Sequence, residues 1–188
     1  MEFPSRDIIP QPPSENLLRD LSNFQRLLLI TDGTVTELLE QYLQESIKVY
    51  KLYEKIEHNY TQLHSNHEAF INSDQMPILK REVLLQGQTS AKNWVYAESS
   101  ILLNHLPQNF RTDLLTSQQP IGKLWAKYRT ETYKALFCSQ KKSANHLAKH
   151  FNISINDIVI LRTYGVYSNQ RLTMVITEIF PEKFFGDQ

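Results

Sequence analysis

The sequence predicts an α+β domain with one antiparallel sheet. Helical patterns come first, and several strand-like segments separated by short helical insertions follow; this order is typical of α+β proteins. Two pairs of strand segments, 77–86 with 93–101 and 157–167 with 170–180, are joined by short turns, which favours antiparallel pairing. The chain has 188 residues, 41% of them hydrophobic, enough for one core. We therefore expect an extended arm, rich in proline, over residues 1–13 and a single domain over 14–188.

Two helices are predicted at the N-terminal end. Ser14 can cap a helix whose leucines recur at helical spacing as far as Asp32 and Gly33. Thr34 and Glu37 then form a capping-box pattern, in which the Thr side chain and a Glu three residues later cap the same helix start. This pattern predicts a second helix that ends near Leu43.

Three strands follow in the next part of the chain. Residues 46–57 are rich in β-branched and aromatic types, which favour strands. The polar stretch 58–75 is predicted to be a loop. Two more strands are expected at 77–86 and 93–101, joined by a turn that contains a glycine.

The C-terminal half alternates short helices and strands. Its predicted elements are helices at 107–115 and 121–128, a strand at 130–138, a helix at 143–151, and a hairpin of 157–167 with 170–180 around Ser168 and Asn169. The hairpin supplies the last two strands of the expected sheet.

Composition excludes several classes of function. The chain has 20 basic and 20 acidic residues, so no basic surplus indicates a nucleic-acid partner. No apolar stretch approaches the length that crosses a bilayer, and the N-terminal residues carry neither a signal-peptide nor a transit-peptide pattern. A single cysteine, Cys138, rules out an internal disulfide and a multi-cysteine metal site. We therefore expect a cytoplasmic monomer with no nucleic-acid partner and no membrane insertion.

Cofactor and metal signals are weak. No glycine-rich phosphate loop is present. The histidine pairs His64 with His67 and His146 with His150 have spacings that suit a metal, but neither has a clear third ligand. We expect no metal and no cofactor.

Two charged residues fall on apolar strand faces. Side chains alternate between the faces of a strand, and this places Arg81 beside Leu79 and Val83, and Glu178 among Met174, Ile176 and Phe180. A charge taken out of water needs a partner. Either Arg81 and Glu178 form a buried ion pair with no other role, or they line a ligand site. In a ligand site, Arg81 would bind a carboxylate and Glu178 would bond or exchange a proton with a hydroxyl.

Four segments, in order, resemble the chorismate pyruvate-lyase family. They are LLLITDGTVTELLE at 27–40, LKREVLLQG at 79–87, QPIGKLW at 119–125 and MVITEIFP at 174–181. The sequence Tyr-Ala-Glu-Ser at 96–99 resembles the divergent branch of cyanobacteria and plastids.

The resemblance implies a fold, a reaction and a site. The family has helices packed around a buried ligand cavity on one antiparallel sheet, and it converts chorismate to 4-hydroxybenzoate, a quinone precursor, and pyruvate without a cofactor. Carried over by position, Arg81 binds the carboxylate and Glu178 the ring hydroxyl as the catalytic residues. The backbone amides of Val35 and Ile121 complete the substrate site. The branch also implies the plastid stroma as location if the chain is plastid-encoded.

One position departs from the family pattern. The typical enzyme has a basic residue near the site where this chain has Glu98, and a carboxylate there would repel a dianionic substrate.

The same fold also resembles the effector-sensing UTRA domains of bacterial transcription regulators, which bind a ligand without transforming it. The second hypothesis is therefore a non-catalytic module that binds a small aromatic acid.

Overall fold

A computed structural model describes residues 12–58 and 77–186 of the chain. Its helices are α1 (Glu15–Arg19), α2 (Asn23–Ile30), α3 (Val35–Leu43), α4 (Gln108–Thr116), α5 (Ile121–Lys127) and α6 (Ala148–Phe151). Its strands are β1 (Ile47–Glu57), β2 (Ile78–Gly87), β3 (Asn93–Leu102), β4 (Tyr133–Ser143), β5 (Ile158–Ser168) and β6 (Arg171–Pro181). Nearly all of the predicted loop at 58–75, with His64 and His67, and most of the N-terminal arm lie outside the described residues.

The six strands of the described chain form one sheet in the order β1-β2-β3-β6-β5-β4. Every neighbouring pair is antiparallel. This confirms the predicted α+β class with a single antiparallel sheet. The predicted hairpin is also confirmed as β5 and β6, with Asn169 and Gln170 in its turn.

The first predicted helix is wrong in one respect, because the structure has two helices there. α1 ends at Arg19 and α2 begins at Asn23. Ser22 caps α2, accepting a hydrogen bond from the backbone N–H of Gln25, while the Gln25 side chain bonds back to the Ser22 backbone. This capping box starts a new helix within the run of leucines. The predicted helix start at Thr34 is confirmed, since its hydroxyl accepts from the Glu37 N–H.

The helices cover the two faces of the sheet unequally. On the front face, α1, α2 and α3 pack against Leu85 and Phe180, and α4 and α5 pack against Leu79 and Met174. The back face packs against α6 through residues that include Leu84. The front face therefore carries two apolar clusters, one at each end of its central strands.

Two of the register shifts in the described sheet are β-bulges that determine which residues lie opposite Arg81 and Arg162. β1 and β2 change register at Leu52, so that Glu54 lies opposite Arg81. β5 and β6 change register at Thr173, so that Glu178 lies opposite Arg162. Without the bulges, Tyr53 would lie opposite Arg81, and Thr177 would lie opposite Arg162.

None of the helices in the described parts of the chain is long and apolar enough to span a membrane.

Candidate active site

A buried network of hydrogen-bonded side chains lies between the two apolar clusters of the front face. The Glu178 carboxylate on β6 accepts a hydrogen bond from Arg162 Nε at 2.7 Å and another from the Tyr164 hydroxyl at 3.0 Å. Arg162 and Tyr164 both stand on β5, two residues apart, so they point to the same face. The side chains of Arg162 and Glu178 are only 2% and 8% exposed. The three residues therefore form one desolvated unit.

Contacts within this unit set the protonation of Arg162 and Tyr164. Burial disfavours the charged form of Arg162, but the charge of Glu178 and its hydrogen bond outweigh burial and raise the pKa of the guanidinium. Burial and the charge of Glu178 raise the pKa of the Tyr164 hydroxyl well above its usual range. Arg162 therefore stays charged and Tyr164 stays a neutral donor at physiological pH.

Arg81 stands on the same face, two strands away from Glu178. Its side chain is 2% exposed, and its Nε lies 3.4 Å from Glu54 Oε2 without hydrogen-bond geometry. Burial lowers the pKa of Arg81, and the charge of Glu54 offsets part of that effect. Lys51 Nζ also donates a hydrogen bond to Glu54 Oε1 at 3.0 Å. Arg81 thus has an ionic neighbour but no hydrogen-bonded acceptor among the described side chains.

Both arginines keep an unused donor. Arg162 Nη1 donates a hydrogen bond to the Thr31 carbonyl oxygen at 3.1 Å. The Nη2 atoms of Arg162 and Arg81 are buried and have no hydrogen-bond partner within residues 12–58 and 77–186. An unsatisfied buried donor costs about 1–3 kcal/mol, and more when it is charged. Two guanidinium groups on one sheet face can therefore donate to an anionic ligand.

Small residues on β3 leave space between these cations. Ala97 lies opposite Glu178, and Ser99 lies opposite Arg81. Both are only half-buried, although β3 is a central strand with helices packed over this face. Leu85 and Val95, in the same layer, are buried. Solvent therefore reaches the middle of the front face at Ala97 and Ser99.

Two helix starts meet at the same side of the sheet. Gly122 of α5 lies so close to Thr34 that an added Cβ would be 2.5 Å from the Thr34 methyl carbon. Lys123 of α5 also bonds Glu40 of α3 at 2.8 Å. The backbone N–H groups of Val35 and Ile121, the first residues of α3 and α5, have no hydrogen-bond partner in the described chain. Free amides at helix starts suit oxygen acceptors.

A cavity of about 190 Å³ adjoins the network. Its wall includes Leu29, Thr31 and Asp32 from the end of α2, and Lys134, Leu136, Arg162 and Tyr164 from the sheet, with Pro12 and Pro13 of the arm. Lys134 Nζ donates to the Gly33 carbonyl at 2.5 Å and lies 5.3 Å from the centre of the Tyr164 ring. Burial, followed by the positive charge of Arg162, lowers the pKa of Lys134 to about 8, against the opposing effect of Glu178.

Two interpretations of the charged residues are wrong. The Arg81–Glu178 ion pair does not form, because Glu178 pairs with Arg162 and Arg81 lies beside Glu54. Glu98 is not near the site, because it lies opposite Glu82 and Thr177 in the strand register, on the back face, where it accepts a hydrogen bond from the Tyr96 hydroxyl at 3.1 Å. Its carboxylate is therefore separated from the front face by the sheet.

Sequence reasoning missed Arg162, Tyr164 and Lys134. Arg162 and Tyr164 share a face of β5 with Ile160 and Val166, so the test that singled out Arg81 would also have found them. Lys134 is harder to find, since it lies on an edge strand with mixed burial. No group of three or more potential metal ligands occurs among the residues that the structure describes.

The described residues form an α+β domain with one antiparallel sheet whose front face carries buried cations. The solved effector domain of PhnF from Mycobacterium smegmatis superimposes with a TM-score of 0.61 at 12% sequence identity, covering 82% of this chain and 92% of that one. This likeness supports the fold alone.

Sequence comparison identifies the family. The model of the family described as chorismate pyruvate-lyase Rv2949c-like matches residues 29–185, and the chain belongs to this family. A chorismate pyruvate-lyase of Mycobacterium tuberculosis is 27% identical over 179 residues, which are 93% of this chain and 87% of that protein. A chorismate pyruvate-lyase of Mycobacterium leprae is 34% identical over 121 residues, 64% of this chain and 56% of the relative.

Proposed function

We propose that this chain is a lyase that eliminates pyruvate from chorismate and leaves 4-hydroxybenzoate. One observation carries the proposal: two buried arginines flank Glu178 on the front face, and each has an Nη2 donor without a partner in the described chain. Chorismate has two carboxylates and one hydroxyl, which match this set of donors and one acceptor. Membership of the family supports the same assignment.

The reaction needs positioning more than a strong acid or base. The ether bond between the ring and the enolpyruvyl group breaks, and the ring carbon that carries the hydroxyl loses its hydrogen. The ring becomes aromatic, and the enolpyruvate takes up a proton at its methylene carbon to become pyruvate. Atoms and electrons balance without an oxidant. Holding the substrate in a reactive conformation is therefore the main task of the protein.

Each proposed residue has a distinct role. Arg81 binds the ring carboxylate with its free guanidinium donors. Glu178 accepts a hydrogen bond from the ring hydroxyl, since a carboxylate has about four acceptor positions and Arg162 and Tyr164 occupy two of them. The amides of Val35 and Ile121 donate to substrate oxygens from the two helix starts that meet at Gly122.

The test is turnover of chorismate by matched arginine variants. The purified wild-type chain should release aromatic acid and pyruvate. Arg81→Gln should lower kcat/KM by about 100-fold or more, because a buried charged donor is lost. Arg171→Gln, at an exposed position on β6, is the control and should retain activity. Absence of product from the wild type, or equal effects of the two substitutions, would contradict the proposal.

The shared fold supports a second candidate, a module that binds an aromatic acid without transforming it. The observation in its favour is the likeness to a domain described as an effector domain. The same experiment separates the two hypotheses. Tight binding of 4-hydroxybenzoate together with unchanged chorismate would favour the binding module.

A further inference from the structure

The cavity beside Arg162 contains cationic groups that have no part in the residue roles proposed above. Arg81, Glu178 and two backbone amides account for the ring carboxylate and the ring hydroxyl. Lys134 and the free Nη2 of Arg162 remain, and both residues line the same cavity. The substrate proposed above also has a part without a partner, its enolpyruvyl carboxylate.

We propose that the cavity lined by Lys134, Arg162 and Tyr164 is the subsite for the second carboxylate, the one on the enolpyruvyl side chain. The assignment rests on the proposed function and deepens it, because it makes the site specific for a dicarboxylate. Arg81 would then hold one end of the substrate, and Lys134 with Arg162 the other.

The positions of the cations in the sheet fit a ligand with two acidic ends. Arg81 is on β2 and Arg162 on β5, three strand spacings apart in the order β2-β3-β6-β5. Neighbouring strands are about 4.8 Å apart, so the two backbones are separated by roughly 14 Å. Both side chains are long, and the half-buried Ala97 and Ser99 lie on the strand between β2 and β6. A ring can therefore lie over β3 and β6, with a cation at each end.

The cavity has room and polarity for a carboxylate. At about 190 Å³ it far exceeds the roughly 10–15 Å³ that one water needs. Lys134 donates to the Gly33 carbonyl, and an ammonium has three donors in all, so donors remain for a ligand. The negative groups around Lys134 are Glu178, which Arg162 pairs, and Asp32 and Glu37, which are exposed and screened by solvent.

Two stable probes test the assignment without turnover. The first is meta-(1-carboxyvinyloxy)benzoate, which carries the enolpyruvyl ether on a benzoate ring. Because this ring is already aromatic, the compound cannot undergo the proposed elimination. The second is meta-isopropenyloxybenzoate, which has a methyl group in place of the second carboxylate. Calorimetry with the full chain should show that Lys134→Gln weakens the first probe about tenfold, a loss of about 1.4 kcal/mol, and changes the second less than about twofold.

Matched variants exclude indirect effects. Lys142→Gln, at an exposed position of the same strand, should leave both affinities unchanged, and Lys134→Arg should keep most of the preference for the dicarboxylate. Equal weakening of both probes by Lys134→Gln, or no weakening of either, would overturn the assignment.

The pH dependence of the wild type gives a second readout if Lys134→Gln does not fold. Because the pKa of Lys134 is lowered to about 8, the preference for the dicarboxylate should decline as the pH rises through about 8. Arg162 and Tyr164 have raised pKa values and do not titrate there. A preference that stays constant through this range would also overturn the assignment. A chain that fails to convert chorismate but shows the Lys134-dependent preference would refute the lyase and leave the subsite intact.

Discussion

At the scale of single residues, the site is built from charges that are expensive to bury. Arg162 and Glu178 compensate each other, with Tyr164 as a further donor. Arg81 has only Glu54, at ionic distance. A buried ion pair adds little net stability by itself, yet the removal of one partner leaves an uncompensated buried charge. Arg162 therefore stabilises the site and keeps only Nη2 for a ligand, whereas Arg81 has both Nε and Nη2 without a hydrogen-bond partner among the described residues.

Arg162→Met should therefore destabilise the fold strongly. It leaves the Glu178 carboxylate buried without its cation, and we expect the free energy of unfolding to fall by about 3–5 kcal/mol. The double variant Arg162→Met with Glu178→Leu removes both charges and should recover most of this loss. Urea denaturation of the two variants and the wild type measures the effect. A double variant no more stable than Arg162→Met would show that the pair does not account for the loss.

At the scale of elements, two bulges and two helix starts assemble the site. The bulges at Leu52 and Thr173 bring Glu54 opposite Arg81 and Glu178 opposite Arg162. The Thr173 hydroxyl donates to the Val166 carbonyl at 2.9 Å and so satisfies that carbonyl beside the bulge. The helix starts approach closely because Gly122 has no side chain.

Gly122→Ala should separate the starts of α3 and α5. The new Cβ would be 2.5 Å from the Thr34 methyl carbon and 2.7 Å from its Cβ, which forces a shift that costs about 1–3 kcal/mol. We expect a lower melting temperature and weaker binding of 4-hydroxybenzoate. Adding Thr34→Ser removes the methyl group, keeps the capping hydroxyl and should restore part of both. Gly186→Ala, where an added Cβ meets nothing within 4 Å, is the control; an equal effect there would contradict this account.

Local sequence patterns predicted the strands but not which charged side chains lie opposite each other across them. Alternation along β2 and β6 located Arg81 and Glu178, because burial of a strand face depends on residues close in sequence. Their true partners depend on the two bulges, and a bulge moves every later residue to a different partner. The break between α1 and α2 was missed because the leucines keep helical spacing across Ser22. Hydrogen bonds of Ser22 with Gln25 decide that boundary.

At the scale of the whole molecule, the sheet separates two chemical environments. The front face carries Arg81, Arg162 and Glu178 between two apolar clusters, and the back face carries Glu98. Glu98 therefore does not conflict with a dianionic substrate. The chain shares its fold with an effector domain and its family with chorismate pyruvate-lyases, so the fold alone does not decide between binding and turnover.

Proton NMR of a chorismate solution with the purified wild-type chain shows directly whether the chain is a lyase. We expect the chorismate signals to decay while 4-hydroxybenzoate and pyruvate appear in equal amounts and at equal rates. Chorismate that persists unchanged beside a protein that binds 4-hydroxybenzoate would contradict the lyase.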